Sequence, residues 1–185
     1  MYKLCKTEQS VQRQRQLEQG LLQLMQVKRY EEISISDLCE RMGVPRKSFY
    51  RYFSSKDGAL FALLDHTMLD FYEEGFRTPN GGTALGDLDR FFLFWYEHKD
   101  LLDALMRSGL SGILVERATS LARRERLMPE RIKSWSVSDQ ELALSFALCG
   151  LMSMVIQWHH QGYRVSAKEM TKIGAAMLTQ PLIKL

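Results

Sequence analysis

Gly43-Val44-Pro45 is the break that most limits how this chain can fold. The residues on both sides read as helix, yet one helix cannot run through all three. Gly43 supplies the left-handed stop that favours a helix end, and Pro45 is tolerated only in the first turn of a new helix. Upstream, Ser34 and Asp37 have the spacing of a capping box, which satisfies free amides at a helix start. Leu38, Cys39 and Met42 then face inward. Downstream, the pattern predicts a short helix over residues 46–53, with Phe49 and Phe53 as its inward pair at i, i+4. Two short helices joined by a three-residue turn make a helix-turn-helix.

The outward positions carry the chemistry. Ser34, Arg46, Lys47, Ser48, Tyr50, Arg51, Tyr52 and Lys56 offer donors, and no Asp or Glu stands between Val44 and Lys56. In a helix-turn-helix the second helix enters the DNA major groove, where Arg grips guanine bidentately. Tyr and Lys hold phosphate oxygens, and Lys56 falls in the first turn of the next helix, where free backbone amides also attract phosphate. These eight residues are the candidate DNA-binding set. The bland alternative is a basic exposed corner with half-buried aromatics. Charge distribution favours an anionic partner: the first 60 residues hold eleven Lys and Arg against seven Asp and Glu, a net +4, while the whole chain nets +3.

Strand signals are nearly absent and 3.6-residue periodicity runs almost throughout. The expectation is an all-α protein of about nine helices without a sheet: an N-terminal three-helix helix-turn-helix domain over residues 1–56 and a helical bundle over residues 57–185. The first helix spans about 8–27, with Leu17, Leu21, Leu24 and Met25 inside, and a long helix spans 56–76. The 78–83 stretch, Thr-Pro-Asn-Gly-Gly-Thr, reads as a linker, and Met128-Pro129 as another irregular stretch. Ser138 with Glu141, and Ser166 with Glu169, have capping-box spacing, and Pro181 ends the last helix.

Three scattered cysteines show neither disulfide nor zinc spacing; Cys39 and Cys149 read as small core residues in a reducing cytoplasm. No signal peptide is visible, and no stretch approaches the roughly 20 apolar residues of a membrane span, so no membrane partner is expected. His66, His98, His159 and His160 lack metal-ligand spacing. There is no nucleophile elbow, phosphate loop, catalytic carboxylate pair or metal motif, so neither an enzyme nor a cofactor is indicated.

The stretch from Gln16 to Phe61 resembles the DNA-binding domain of the tetracycline-repressor (TetR) family. Leu17, Leu21, Leu22, Leu24, Met25 and Tyr30 match its first helix. Ser34, Leu38, Cys39, Met42, Gly43 and Val44 match its second helix and turn, and Ser48, Phe49, Tyr50, Tyr52, Phe53 and Lys56 the rest. Arg29, Pro45, Lys47 and the 56–60 stretch depart from the family pattern. The resemblance implies a C-terminal domain that dimerises and often binds a small molecule, on a palindromic double-stranded operator. Ala143, Ala147, Gly150 and Met154, with Ala175 and Ala176, form small-residue stripes that suit a homodimer interface, or packing inside one subunit. Phe71, Tyr72, Phe91, Phe94, Trp95, Met106, Met152 and Trp158 are the candidate effector pocket, although core packing explains most of them. The expected function is a dimeric, ligand-responsive repressor in the cytoplasm. The alternative is an activator or co-regulator whose C-terminal domain docks a protein.

Overall fold

The computed structural model describes residues 1–76, 84–125 and 132–179. The 78–83 linker, Met128-Pro129 and Pro181 lie outside the described residues. The fold is all-α: nine α-helices and no strand occur among the described residues. They are α1 (Glu8–Met25), α2 (Ile35–Arg41), α3 (Arg46–Phe49), α4 (Lys56–Phe76), α5 (Ala84–Glu97), α6 (Lys99–Arg107), α7 (Ser111–Arg124), α8 (Val137–His160) and α9 (Ala167–Thr179). The chain divides into two compact units. One is Met1–Met68 with Asp103–Leu110; the other is Leu69–Leu102 with Ser111–Leu185.

In the first unit, Leu17, Leu21, Leu24 and Met25 of α1 are buried as the periodicity predicts, together with Leu38, Cys39, Phe49, Phe53 and Leu60. α1 lies close to α2 because residue 20 is glycine: a Cβ there would meet the Met42 side chain at 2.3 Å. Polar groups that go inside are matched. Glu18 is 1% exposed and its carboxylate lies 3.0 Å from His66 Nδ1, while the equally buried Asp65 accepts from the Tyr2 hydroxyl at 2.6 Å.

In the second unit α5 packs on α9 and α7 on α8. The α5–α9 approach also rests on a glycine, since a Cβ at Gly174 would touch the Phe92 ring at 3.0 Å. Phe92 and Trp158 are fully buried, with ring centroids 6.2 Å apart.

Four sequence expectations need correction. The second helix of the helix-turn-helix is four residues of α-helix followed by turns: Arg51 N donates to Ser48 O and Tyr52 N to Phe49 O, three residues back instead of the four of an α-helix. α8 is capped two residues early, by Ser136, whose Oγ accepts from Asp139 N at 3.2 Å. Cys149 is exposed, not a core residue. α8 is also long and apolar enough to cross a membrane by length and composition, with a mean hydropathy of 1.5 over its best 18 residues. Its apolar residues circle the helix: Leu144, Met152, Val155 and Trp158 are buried while Leu142 and Phe146 face outward.

Candidate nucleic-acid interface

The entry to α2 is built as the sequence implies. Ser34 Oγ accepts from Asp37 N at 3.0 Å, and Ser34 N donates to Asp37 Oδ2 at 2.7 Å. Hydrogen bonds from the Ser34 side chain and backbone, then from Lys28, hold the Asp37 carboxyl down at about 2. The exit from α2 is a Schellman turn. Gly43 has φ +60°, its N–H donates to Glu40 O at 3.1 Å, and Val44 N donates to Cys39 O at 2.9 Å. Pro45 is then the cap of α3, with its carbonyl taking Ser48 N at 2.8 Å.

This sequence of caps sets α3 and the turn after it so that one side is buried and the other faces solvent. Phe49 and Phe53 are 0% and 1% exposed, with rings 5.2 Å apart. Arg46, Lys47, Tyr50 and Arg51 are exposed, and Ser48 and Tyr52 half-buried. Among the described residues the side chains of Lys47, Ser48 and Arg51, and the hydroxyls of Tyr50 and Tyr52, have no hydrogen bond or ion pair. The face therefore holds guanidinium, ammonium and hydroxyl donors that only solvent or a partner satisfies.

Two supports of this face carry no signal in the local sequence. An N-terminal arm pairs with the end of the reading segment: Lys3 N donates to Tyr52 O at 2.9 Å, and Ser54 N to Met1 O at 3.0 Å. The arm crosses the first turn of α4, where a Cβ at Gly58 would lie 2.4 Å from Met1 O. The second support is Lys56. Its ammonium donates to Tyr30 O and Ile33 O, both at 2.6 Å, and sits 4.2 Å from the Tyr30 ring centre. The Tyr30 hydroxyl donates to Asp57 Oδ1 at 2.6 Å. Burial, then this bond, push the phenol far above its ordinary range. Ser108 Oγ accepts from Tyr30 N at 2.9 Å. Lys56 thus ties the start of α4 to the turn that launches α2.

The family match to known proteins falls on this same region. Residues 20–63 match the family described as bacterial regulatory proteins, tetR family. The family match is confined to this segment, which holds the helix-turn-helix and the start of α4. The HTH-type transcriptional regulator EthR of Mycolicibacterium smegmatis is 43% identical over 42 residues, 23% of this chain and 19% of that one. The regulator YvdT of Bacillus subtilis is 33% identical over 98 residues, half of each chain. The chain thus spans half or less of these relatives' lengths. A solved TetR transcriptional regulator from Streptococcus agalactiae superposes with a TM-score of 0.64 over 92% of this chain and 95% of that one, at 17% identity, and shares the fold.

The expected pocket residues are divided between the two units. Met106 lies in the first unit and the other seven in the second. Phe91, Phe94, Trp95, Met152 and Trp158 are buried, and Phe71 lies 5.0 Å from Phe94 and 6.1 Å from Phe91 between ring centres. Phe71 and Tyr72 are half-buried, and burial pushes the Tyr72 phenol up to about 12. A cleft of about 520 Å³ in the second unit is lined by none of these; Tyr96, Tyr163 and Arg164 are among its walls. Of the stripe, Gly150 is exposed with open space where a Cβ would be, and Ala143, Ala147, Met154, Ala175 and Ala176 are half-buried.

Proposed function

We propose that the protein is a sequence-specific DNA-binding transcriptional regulator and not an enzyme, acting as a homodimer in the bacterial cytoplasm. One observation carries the reading: a short helix and the turn after it, anchored by Phe49 and Phe53, present Lys47, Ser48, Tyr50 and Arg51 with their donors uncommitted among the described residues. Such donors match base edges and phosphates in a major groove. In this reading Arg51 and Lys47 reach base edges, and Ser34, Arg46, Tyr50 and Tyr52 hold backbone. Lys56 positions the reading head through the carbonyls of Tyr30 and Ile33.

The dimer reading is supported by the outer faces of α8 and α9. Leu142 is 68% and Phe146 80% exposed, and Ile173, Met177 and Leu178 are exposed as well. An apolar strip of this kind suits a second copy of the same strip about a twofold axis, with Gly150 at the close approach. Twofold symmetry in turn supplies the two heads that a palindromic operator requires.

In this reading the protein is a repressor released by an apolar effector that reaches the half-buried Phe71 and Tyr72. The family resemblance and the aromatic character of α4 and α5 support that step. Selection of bound fragments from a genomic library with purified protein, beside sedimentation of the free protein, tests the proposal. Enrichment of an inverted repeat by a dimer supports it. A monomer that enriches nothing refutes it.

A further inference from the structure

Two adjoining clefts, of about 430 and 340 Å³, open on the flank of the reading helix. The first is lined by Thr7, Gln9, Ser10, Arg13, Arg51 and Tyr52. The second shares Arg13, Arg51 and Tyr52 and continues past Ser48 to the α2–α3 turn. No Asp or Glu lines either one. Arg13 is exposed, and the neutral Gln16 Oε1 at 3.2 Å is its hydrogen-bond acceptor; Arg51 has no partner among the described residues. Thr7 and Ser10 bond each other, at 2.9 Å between hydroxyls, so their oxygens do not neutralise the arginines.

Two guanidinium groups facing one solvent-filled cleft repel each other, and nothing in the cleft walls offsets that repulsion. An anion would. The planar fork of Arg matches phosphate bidentately, and the shared cleft borders the very side chains proposed to enter the groove. α1 lies outside the helix-turn-helix proper, so a contact from it would widen the footprint on DNA.

We propose that Arg13 is a DNA-backbone contact: it holds one phosphate at the mouth of the cleft it shares with Arg51. The inference rests on the DNA-binding reading above. Its test is the salt dependence of binding to a random-sequence 24-base-pair duplex, followed by fluorescence anisotropy between about 50 and 200 mM salt, the range over which phosphate contacts lose affinity. For Arg13→Ala the slope of log affinity against log salt should become shallower by about 0.9 per bound subunit, the value for one lost phosphate contact. Arg13→Lys should keep the slope, and Arg13→Gln, which preserves the stem, should behave as Ala does. All three should melt with wild-type protein, since among the described residues Arg13 makes one neutral hydrogen bond, to Gln16. An Arg13→Ala slope equal to that of wild type overturns the proposal, whether or not affinity falls. Wild-type protein that fails to bind the duplex overturns the DNA reading itself, a result distinct from the first.

Discussion

α3 and α8 break the ordinary rules of surface composition in opposite ways. α3 is four residues long; with the turn that follows it, it buries Phe49 and Phe53 completely and exposes cations and hydroxyls that have no partner among the described residues. α8 is 24 residues long and leaves Leu142 and Phe146 in solvent while also burying Leu144, Met152, Val155 and Trp158. Each surface is incomplete in a different currency. The first lacks acceptors and negative charge, which DNA would supply in the proposed function; the second lacks apolar cover, which a second copy would supply in the same proposal. What a surface leaves unsatisfied thus describes the chemistry of its partner.

The comparison breaks most severely if the anchors of α3 are removed. Phe49→Ala deletes a side chain that is 0% exposed, and such truncations cost about 3–5 kcal/mol. The first unit should melt early in a thermal scan by circular dichroism, and DNA binding should vanish with it. Retained binding at full affinity would show that the anchoring of α3 is irrelevant to its outer face.

Disturbing α8 should leave folding intact and abolish assembly. Phe146→Glu places a charge on a residue 80% exposed in the single chain, so the melting curve of the isolated subunit should hardly move. The same charge buried between subunits is strongly unfavourable. Sedimentation should therefore report a monomer, and operator affinity should drop. Gly150→Leu should act in the same direction but more weakly, by about 1–3 kcal/mol of overpacking. A Phe146→Glu protein that remains dimeric would move the interface elsewhere.

Lys56 sharpens the contrast within the first unit. With its ammonium on Tyr30 O and Ile33 O, Lys56→Met should destabilise by about 1–3 kcal/mol, as expected when buried acceptors lose a charged donor. DNA affinity should fall for all sequences alike, with an unchanged salt slope. A shallower slope would show that the ammonium touches phosphate instead.

The smallest effect is a pH effect. The Asp37 carboxyl is depressed from its ordinary 3.8 to about 2 by bonds from Ser34 and Lys28. A depressed folded-state value means that the contribution is full above pH 3.8 and is lost as pH falls through 2. Melting temperatures of wild type and Asp37→Asn should differ at pH 6 and converge near pH 2. A constant gap would place the effect of Asp37 in its shape and not its charge.

Much of this was legible in the chain. Gly43, Pro45, Ser34 and Asp37 act through neighbours three to five residues away, so the helix-turn-helix and its caps appear in local spacing. Phe49 and Phe53 were legible for the same reason. The inward turn of Lys56 was not, because its acceptors lie 26 and 23 residues away in sequence. The arm was equally hidden: the bonds from Lys3 and to Met1 join segments about fifty residues apart. Arg13 gave no motif at all, since only folding brings it to the cleft of Arg51. The exposure of Cys149 on α8 was not legible, because a small apolar residue on an apolar helix looks the same in sequence whether or not its own chain covers it.

The central claim is that the outer face of α3 reads DNA sequence. The most direct measurement selects bound sites from a random-sequence library with wild-type protein, Arg51→Ala and Lys47→Ala in parallel. The account predicts one inverted-repeat motif for wild type, and for each variant a loss of preference at a particular half-site position worth about 1–3 kcal/mol. Identical motifs from all three proteins would contradict it, for the donors of α3 would then touch only the backbone.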